Sequence, residues 1–344
     1  MNSLRDIKNF TLEEFKKELE KISESPYRAE QIFSWIYKKG AEDFSAMNNI
    51  PKLFMDKLAE SYYIGDIKPL KHLKSIDGTA EKVLFELDDG NLIETVLIYS
   101  NKRKTVCIST QAGCKYACVF CASGMNGFKR DLSVSEILSQ MLFLEYSLKH
   151  DITNFVFMGM GEPLDNYENV SKAIKIMNSP KAMGIAARRI TVSTSGIIPG
   201  IEKFKELGLQ VNLSISLHAA NNRLRDSLMP VNKKYPIEKL IKACEVYIDG
   251  GGRMLTLEYI VLKDVNDSQK DIDGLSKIAK RLKAKVNLIP YSCVAGLEFK
   301  SLLREDVENV ESGLLKKGIS VTVRESKGKD IMAACGQLAG TIIR

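Results

Sequence analysis

Four of the seven cysteines fall within "VCISTQAGCKYACVFCASG", Val106–Gly124. Cys114, Cys118 and Cys121 form a C-x3-C-x2-C group, with Cys107 seven residues ahead of its first member. Three kinds of chemistry compete for such a triplet. Packing in a core suits it poorly, because the segment carries glycine and shows no periodicity. Structural zinc needs four closed ligands; no histidine lies near, and the other cysteines are distant or, like Cys107, inside a predicted strand. An iron–sulfur cluster held by three thiolates leaves one iron open, where a small cofactor can chelate. The spacing, directly after a first β-branched run, favours this third reading.

Other chemistry-bearing residues stand in short motifs further along: Glu162 in "MGMGEPL", Ser193 and Ser195 in "TVSTSG", Ser216 and His218 in "SISLHA", Asn287 in "KVNLIP" and Cys335 in "AACGQLAG". Taken alone, Cys335 reads equally well as a small buried thiol. Glu94, in "IETVLIY", reads as an exposed charge on a hairpin. Cys244 sits on an apolar helix face beside Leu240 and Ile241 and is read as packing, and Cys293 is assigned no role.

These residues need a scaffold, and the rhythm of the chain supplies one. The first 60 or so residues read as helices: Thr11 with Glu14 makes a capping box, and "YRAEQIFSWIYKK" puts Ile32, Trp35 and Ile36 on one face, with Phe33 and Tyr37 alongside. "KVLFELDDGNLIETVLIY" reads as a β-hairpin about Asp89-Gly90-Asn91. From about residue 104, the runs "KTVCIST", "NFVFMGM", "RITVSTS", "QVNLSISL", "MLTLEYIVL", "KVNLIP" and "ISVTV" alternate with helical patterns such as "VSEILSQMLFLEYSL", capped by Ser133 with Glu136. That alternation predicts a parallel sheet of βαβ units, six strand–helix units rather than the eight of a closed barrel. The fold class is α/β, the sheet curled either as a barrel or as a doubly wound sheet. The family resemblance that these motifs carry implies a partial (β/α)6 barrel, with a helical domain over 1–64, a β-hairpin linker over 65–100, and the barrel with a C-terminal extension over 101–344. The unusual polar residues all follow strand ends, where such folds build active sites. In the strand "KTVCIST", alternation alone leaves open whether Cys107 points to the core or the barrel interior.

Composition is that of an ordinary globular protein, 44% hydrophobic and 27% charged. Fifty Lys and Arg against 43 Asp and Glu give a net charge of +7, compatible with a polyanionic partner. No run nears the roughly 20 apolar residues of a membrane span, and the polar N-terminus lacks a signal core. The expected compartment is the cytoplasm, where cysteine clusters serve metal or redox chemistry before disulfides.

A C-x3-C-x2-C group opening a partial barrel resembles the radical S-adenosylmethionine superfamily. With "TVCISTQAGCKYACVFCASG", "FMGMGEPL", "TVSTSG", "LSISLHA", "VNLIPYS", "AACGQLAG" and the N-terminal "YRAEQIFSWIYKKG", nearly the whole chain resembles the RlmN family, bacterial adenine-C2 RNA methyltransferases. The resemblance implies one [4Fe-4S] cluster on Cys114, Cys118 and Cys121. It also implies two molecules of S-adenosylmethionine per turnover, bound by Gly161, Glu162, Ser193, Ser216, His218 and Asn287. Adenine C2, between two ring nitrogens, is too electron-poor to attack a methyl sulfonium, and the family moves the methyl first onto a cysteine, here Cys335. A 5′-deoxyadenosyl radical from the second cofactor molecule then takes hydrogen from the S-methyl group, and the resulting carbon adds to C2. By the same resemblance, Cys107 attacks the Cys335 sulfur to form a disulfide and free the RNA, and Glu94 is the general base for the C2 proton.

The implied partners are 23S rRNA before ribosome assembly is complete, tRNA, and an electron donor such as flavodoxin or ferredoxin, with no membrane and a monomeric state. Arg223, Arg225, Lys129 and Arg130 are candidate phosphate contacts. Two alternatives stay open: C8 methylation of the same rRNA adenine by related Cfr-type enzymes, which share the cysteine set, and a non-catalytic metal-stabilised RNA-binding protein. Pro163 and Ser195 resemble the C2 group, while Met332 stands where that family often carries an acidic residue.

Overall fold

The computed structural model of the protein describes residues 4–294, 296–300 and 302–340; the first three and last four positions of the expected domain ranges lie outside them. Three helices, α1 (Leu12–Lys21), α2 (Tyr27–Lys39) and α3 (Lys52–Ala59), form the N-terminal unit. Both halves of the α1 capping box are made: Glu14 N donates to Thr11 Oγ1 at 3.3 Å and Thr11 N to the Glu14 carboxylate at 2.9 Å. α2 buries Ile32, Phe33, Ile36 and Tyr37. Trp35 is only half-buried, its indole N–H donating to Asn49 Oδ1 at 2.6 Å. The unit docks through Lys8, whose buried ammonium donates to Ser139 Oγ at 2.6 Å; burial holds its pKa below the usual lysine range.

Segment 65–100 holds three strands rather than two: β1 (Lys68–Lys74), β2 (Ala80–Glu86) and β3 (Leu92–Ser100). They pair antiparallel with one another, and β3 pairs antiparallel with β4 (Arg103–Cys107), in register Val96↔Cys107. The hairpin therefore extends the barrel sheet instead of linking to it. β1, "KPLKHLK", gives no apolar alternation because it is an exposed edge strand, blunted by lysines against stray pairing.

Beyond it run parallel strands β4, β5 (Asn154–Phe157), β6 (Ile190–Thr194), β7 (Asn212–Ser216), β8 (Thr256–Val261), β9 (Lys285–Pro290) and β10 (Val321–Val323), each beside its neighbour in sequence. α4 (Val134–Leu142), α5 (Tyr167–Asn178), α6 (Ile198–Lys205), α7 (Asn222–Leu228), α8 (Ile237–Asp249), α9 (Gln269–Arg281) and α10 (Arg304–Lys316) fill the crossovers, giving six strand–helix units and a seventh strand. α4 begins at the expected capping box of Ser133 and Glu136.

The pleat then sorts the side chains. Phe155, Phe157, Ile190, Val192, Leu213, Ile215, Leu257 and Tyr259 are all buried on one side of the sheet, each contributing about 1.5–3 kcal/mol by leaving water. Their alternates, among them Cys107, Met158, Ser193, Ser216 and Glu258, line the interior. The apolar set builds the core, leaving the inner face free for polar atoms and sulfur.

Candidate active site

The loop from β4 to α4 carries the cysteine triplet, and its tight path depends on small residues. Gly113 lies at φ +75° with the carbonyl of Gly127 where a Cβ would stand. Ala117, between the first two cysteines, is itself left-handed at φ 46°. Cys114, Cys118 and Cys121 line one open cavity of ≈ 870 Å³, together with Glu162, Ser193, Ser216 and His218. Burial pushes the Cys114 thiol up to about 12. Cys118 is raised by burial and then by its two cysteine neighbours, and Cys121 by burial.

Among the described residues, no three ligand side chains close on a single metal ion. A zinc ion would draw thiolates to about 2.3 Å from one centre; in a [4Fe-4S] cube each thiolate takes a different iron, so the sulfurs stand further apart. Three thiols brought from one short loop to one cavity fit such a cluster with an open iron.

The wall opposite is built for a polar ligand. Gly161 has φ +96°, and a Cβ there would stand 2.5 Å from Gln111 Cβ, so only glycine permits this approach of the backbone. Glu162 is buried, and its carboxylate accepts from Leu164 N at 3.0 Å and Ser195 N at 2.7 Å. Burial raises its pKa, against the pull of those amides. Ser193 Oγ lies 3.4 Å from Ser216 Oγ, and Ser195 Oγ is buried without a hydrogen-bond partner. His218, at φ 54°, accepts the Ile260 N–H on Nδ1 at 3.0 Å and meets Phe120 edge-on at 5.0 Å. Burial and then the Arg225 charge lower its pKa to about 3, so the ring is neutral and Nε2 carries the proton.

Asn287 is not brought to this cavity. Its amide donates to Glu258 at 2.7 Å and accepts from Thr322 Oγ1 at 3.0 Å, within a lower, threonine-lined part of the barrel. The stagger of neighbouring strands, invisible in a single sequence, sets it a layer down. Past the end of β9, the Ser292 hydroxyl is buried with no hydrogen-bond partner among the described residues.

A second cavity of ≈ 620 Å³ adjoins the first, sharing Cys121, Met158, Arg324 and Cys335, and adds Cys107. Cys107 therefore faces the interior, and burial, then Cys335, pushes its thiol up to about 12 against the opposing pull of Arg324. The segment bearing Cys335 is stitched to the cysteine loop: Ala122 N donates to Gly336 O at 2.7 Å, Ser123 Oγ to Leu338 O at 2.6 Å and Asn126 Nδ2 to Ala339 O at 2.9 Å.

Glu94 is neither exposed nor at the cavity. It is buried in an ion pair with Lys82 at 2.8 Å, and its other oxygen accepts from Ala339 N at 2.7 Å and Gly340 N at 3.0 Å. Lys82 Nζ also donates to Met332 O at 3.1 Å. With Oε1 paired to Lys82 and Oε2 holding two amides, Glu94 grips the Cys335 segment.

Arg225, expected on a phosphate, is fully buried. Its guanidinium donates to Ser195 O at 2.6 Å, to Ser216 O and Leu217 O at 3.1 Å each, and to Asn232 Oδ1 at 2.9 Å. It is a strut that fixes the ends of β6 and β7. Arg130 is tied to Glu136 at 2.7 and 2.9 Å and to Asp89, whereas Lys129 and Arg223 are exposed. Cys244 is buried on α8, as packing requires. Arg324 was not singled out in the sequence, because it opens the charged stretch "RESKGKD" and nothing local sets it apart from those neighbours.

Comparison with known proteins agrees with this architecture. Residues 108–274 match the model of the radical SAM superfamily, and residues 5–64 that of the ribosomal RNA large subunit methyltransferase N-terminal domain. A probable dual-specificity RNA methyltransferase RlmN of Clostridium novyi (strain NT) is 43% identical over 99% of each chain. One of the same name from Geobacillus kaustophilus (strain HTA426) is 44% identical over 97% of this chain and 92% of its own. The crystal structure of a radical SAM methyltransferase from Sphaerobacter thermophilus superposes with a TM-score of 0.93 at 40% identity, covering 98% of this chain and all of that one.

Proposed function

The chain belongs to the RlmN family of radical S-adenosylmethionine enzymes, and from that membership we propose that it methylates C2 of an adenine in 23S rRNA and in tRNA, with Cys335 carrying the methyl group. The observation that carries the mechanism is the convergence of Cys107 and Cys335, from opposite ends of the barrel sequence, on one cavity beside Cys121.

The family's cofactors are a [4Fe-4S] cluster and S-adenosylmethionine. When bound, the cluster supplies the electron that cleaves the sulfonium of S-adenosylmethionine. Cys114, Cys118 and Cys121 would hold it. Their thiols, protonated while buried and unligated, release protons as they bind. Gly161 gives the cofactor's amino-acid end access to the backbone, and Ser193, Ser216 and the neutral His218 offer polar contacts along the wall. Glu162 keeps that wall in shape by gripping the amides of Leu164 and Ser195.

Cys335 answers the chemical difficulty of the substrate. A carbon flanked by two ring nitrogens cannot act as nucleophile, but a thiolate can. Its sulfur forms a bond to the methyl carbon as the sulfonium bond breaks, and S-adenosylhomocysteine departs. Cys107 later attacks the Cys335 sulfur, leaving a disulfide and free methylated RNA; such exchange needs a thiolate in reach of the first sulfur, and the shared cavity supports that. Glu94 holds the Cys335 segment, and the carboxylate's engagement argues against it as the base in this arrangement.

The proposal extends to a flavodoxin- or ferredoxin-type electron donor, to rRNA not yet enclosed by ribosome assembly, and to a monomeric cytoplasmic enzyme. In support, no helix among the described residues is long and apolar enough to cross a membrane, and exposed Lys129 and Arg223 are available to phosphates. The test is nucleoside analysis of rRNA and tRNA treated with reduced holoenzyme and S-adenosylmethionine. We expect 2-methyladenosine; 8-methyladenosine, or no methylated adenine, overturns the assignment.

A further inference from the structure

One half-buried cation at the barrel mouth, Arg324, is not a strut of the kind Arg225 is. Arg324 follows β10, its backbone N–H donating to Leu288 O at 2.8 Å and so continuing the sheet. That register turns its side chain into the barrel, where it lines both the cavity of Cys107 and Cys335 and the one of Glu162 and His218. The guanidinium lies 3.5 Å from Met158 Sδ and lines the same cavity as the Cys335 side chain. Arg324 keeps some contact with solvent, and negative charge close to a partly desolvated guanidinium favours its charged form. Among its charged neighbours is Glu258, whose Oε2 is already engaged by Asn287. The Cys335 and Cys107 sulfurs are also beside it.

We propose that Arg324 is a catalytic residue that holds the Cys335 sulfur for methyl transfer and then serves the Cys107 sulfur in the disulfide step. The proposal rests on the methyl-cysteine reading above. In the first step Cys335 Sγ gives its proton to solvent, and its lone pair forms the S–C bond while the sulfonium C–S bond breaks. Cys335 ends as an uncharged thioether, and the guanidinium loses a counter-charge. In the second step Cys107 Sγ gives up its proton, and its lone pair forms the S–S bond to Cys335. The electron pair of the Cys335–carbon bond leaves with the carbon, which takes a proton to complete the methyl group. A single guanidinium beside both sulfurs can offset each thiolate in turn. The balance of effects on Arg324 agrees: the Cys335 charge is the largest influence and holds its pKa above the usual range despite burial, with Glu258 and Cys107 adding to it.

The test compares anaerobically prepared holoenzymes of wild type, R324M and R324K, each given S-adenosylmethionine with a trideuterated methyl group. The rate of label arrival on the Cys335 peptide is followed by mass spectrometry, alongside iron content and melting temperature. R324M keeps the side chain's length without its charge and is expected to slow labelling about 100-fold, the usual loss for one preorganised charge-stabilising donor. R324K, which restores a cation, is expected to recover to within about tenfold of wild type. Labelling of R324M at the wild-type rate overturns the proposal. So does a loss that tracks falling iron content equally in both variants, since that marks a purely structural role. If wild type itself takes no label on Cys335, the methyl-cysteine reading fails first, and the role of Arg324 falls with it.

Discussion

Replacing Glu94 with alanine should loosen the Cys335 segment far more than the barrel. Glu94 and Lys82 are each 3% exposed and 2.8 Å apart, and removing one partner of such a pair strands a buried charge at a cost of about 3–5 kcal/mol. Glu94 also satisfies the Ala339 and Gly340 amides, whose loss adds about 1–3 kcal/mol each wherever they remain buried. The chain can escape most of this by detaching residues 332–340, because Lys82 and both amides then meet water. Hydrogen exchange across that segment should therefore quicken by about 100-fold or more, since each 1.4 kcal/mol is a factor of ten. Strands β4 to β9 should exchange as in wild type. E94Q keeps the shape without the charge and should fall between. The double variant K82M/E94M removes both charges and should recover thermal stability, because a buried pair is often replaceable by apolar residues; its segment should still exchange fast, because the amide acceptor is gone. Unchanged protection of 332–340 in E94A would refute the reasoning.

Three further outcomes follow from the site. R225K should lower the melting temperature nearly as much as R225M, because an ammonium cannot span four acceptors that the guanidinium fork reaches; R223A, at an exposed position, should leave it unchanged in the same thermal scan. G161A meets both a positive φ and Gln111 Cβ, and calorimetry should show S-adenosylmethionine binding to the cluster-loaded protein weakened about tenfold or more, the equivalent of about 1–3 kcal/mol of backbone strain. His218, with its folded-state pKa lowered to about 3 from about 6.5 when unfolded, contributes stability that is full above pH 6.5 and drains away as pH falls towards 3. An H218N variant should therefore lose less stability than wild type over that window in an acid titration followed by circular dichroism.

Much of this site was legible because its parts lie in short motifs at strand ends. The triplet, Gly161 with Glu162, and Ser193, Ser216 and His218 needed only the strand–helix rhythm to be gathered on one rim, and the structure places all of them around one cavity. What failed had a geometric cause. Asn287 was misplaced because strand stagger decides which residue reaches the rim, and stagger is set by pairing that one sequence does not show. Glu94 reads as an exposed hairpin charge, since nothing local reveals that a lysine from the neighbouring strand and two amides from the far C-terminus close on it. Arg225 looked like surface charge because it shares a short helix with exposed Arg223; burial of a guanidinium depends on carbonyls at two strand ends that only the fold brings together. The meeting of Cys107 with Cys335 came from family resemblance, since no spacing rule links residues so far apart.

The most direct test of the central claim, that Cys335 is the methyl carrier beside a three-cysteine cluster, is a peptide mass map of protein purified without oxygen. The Cys335 peptide is expected to be heavier by one methylene, with the added mass on that sulfur. An unmodified Cys335, in protein with a full cluster and incubated with S-adenosylmethionine, would contradict that claim and leave the barrel and cluster standing without the methyl-transfer route.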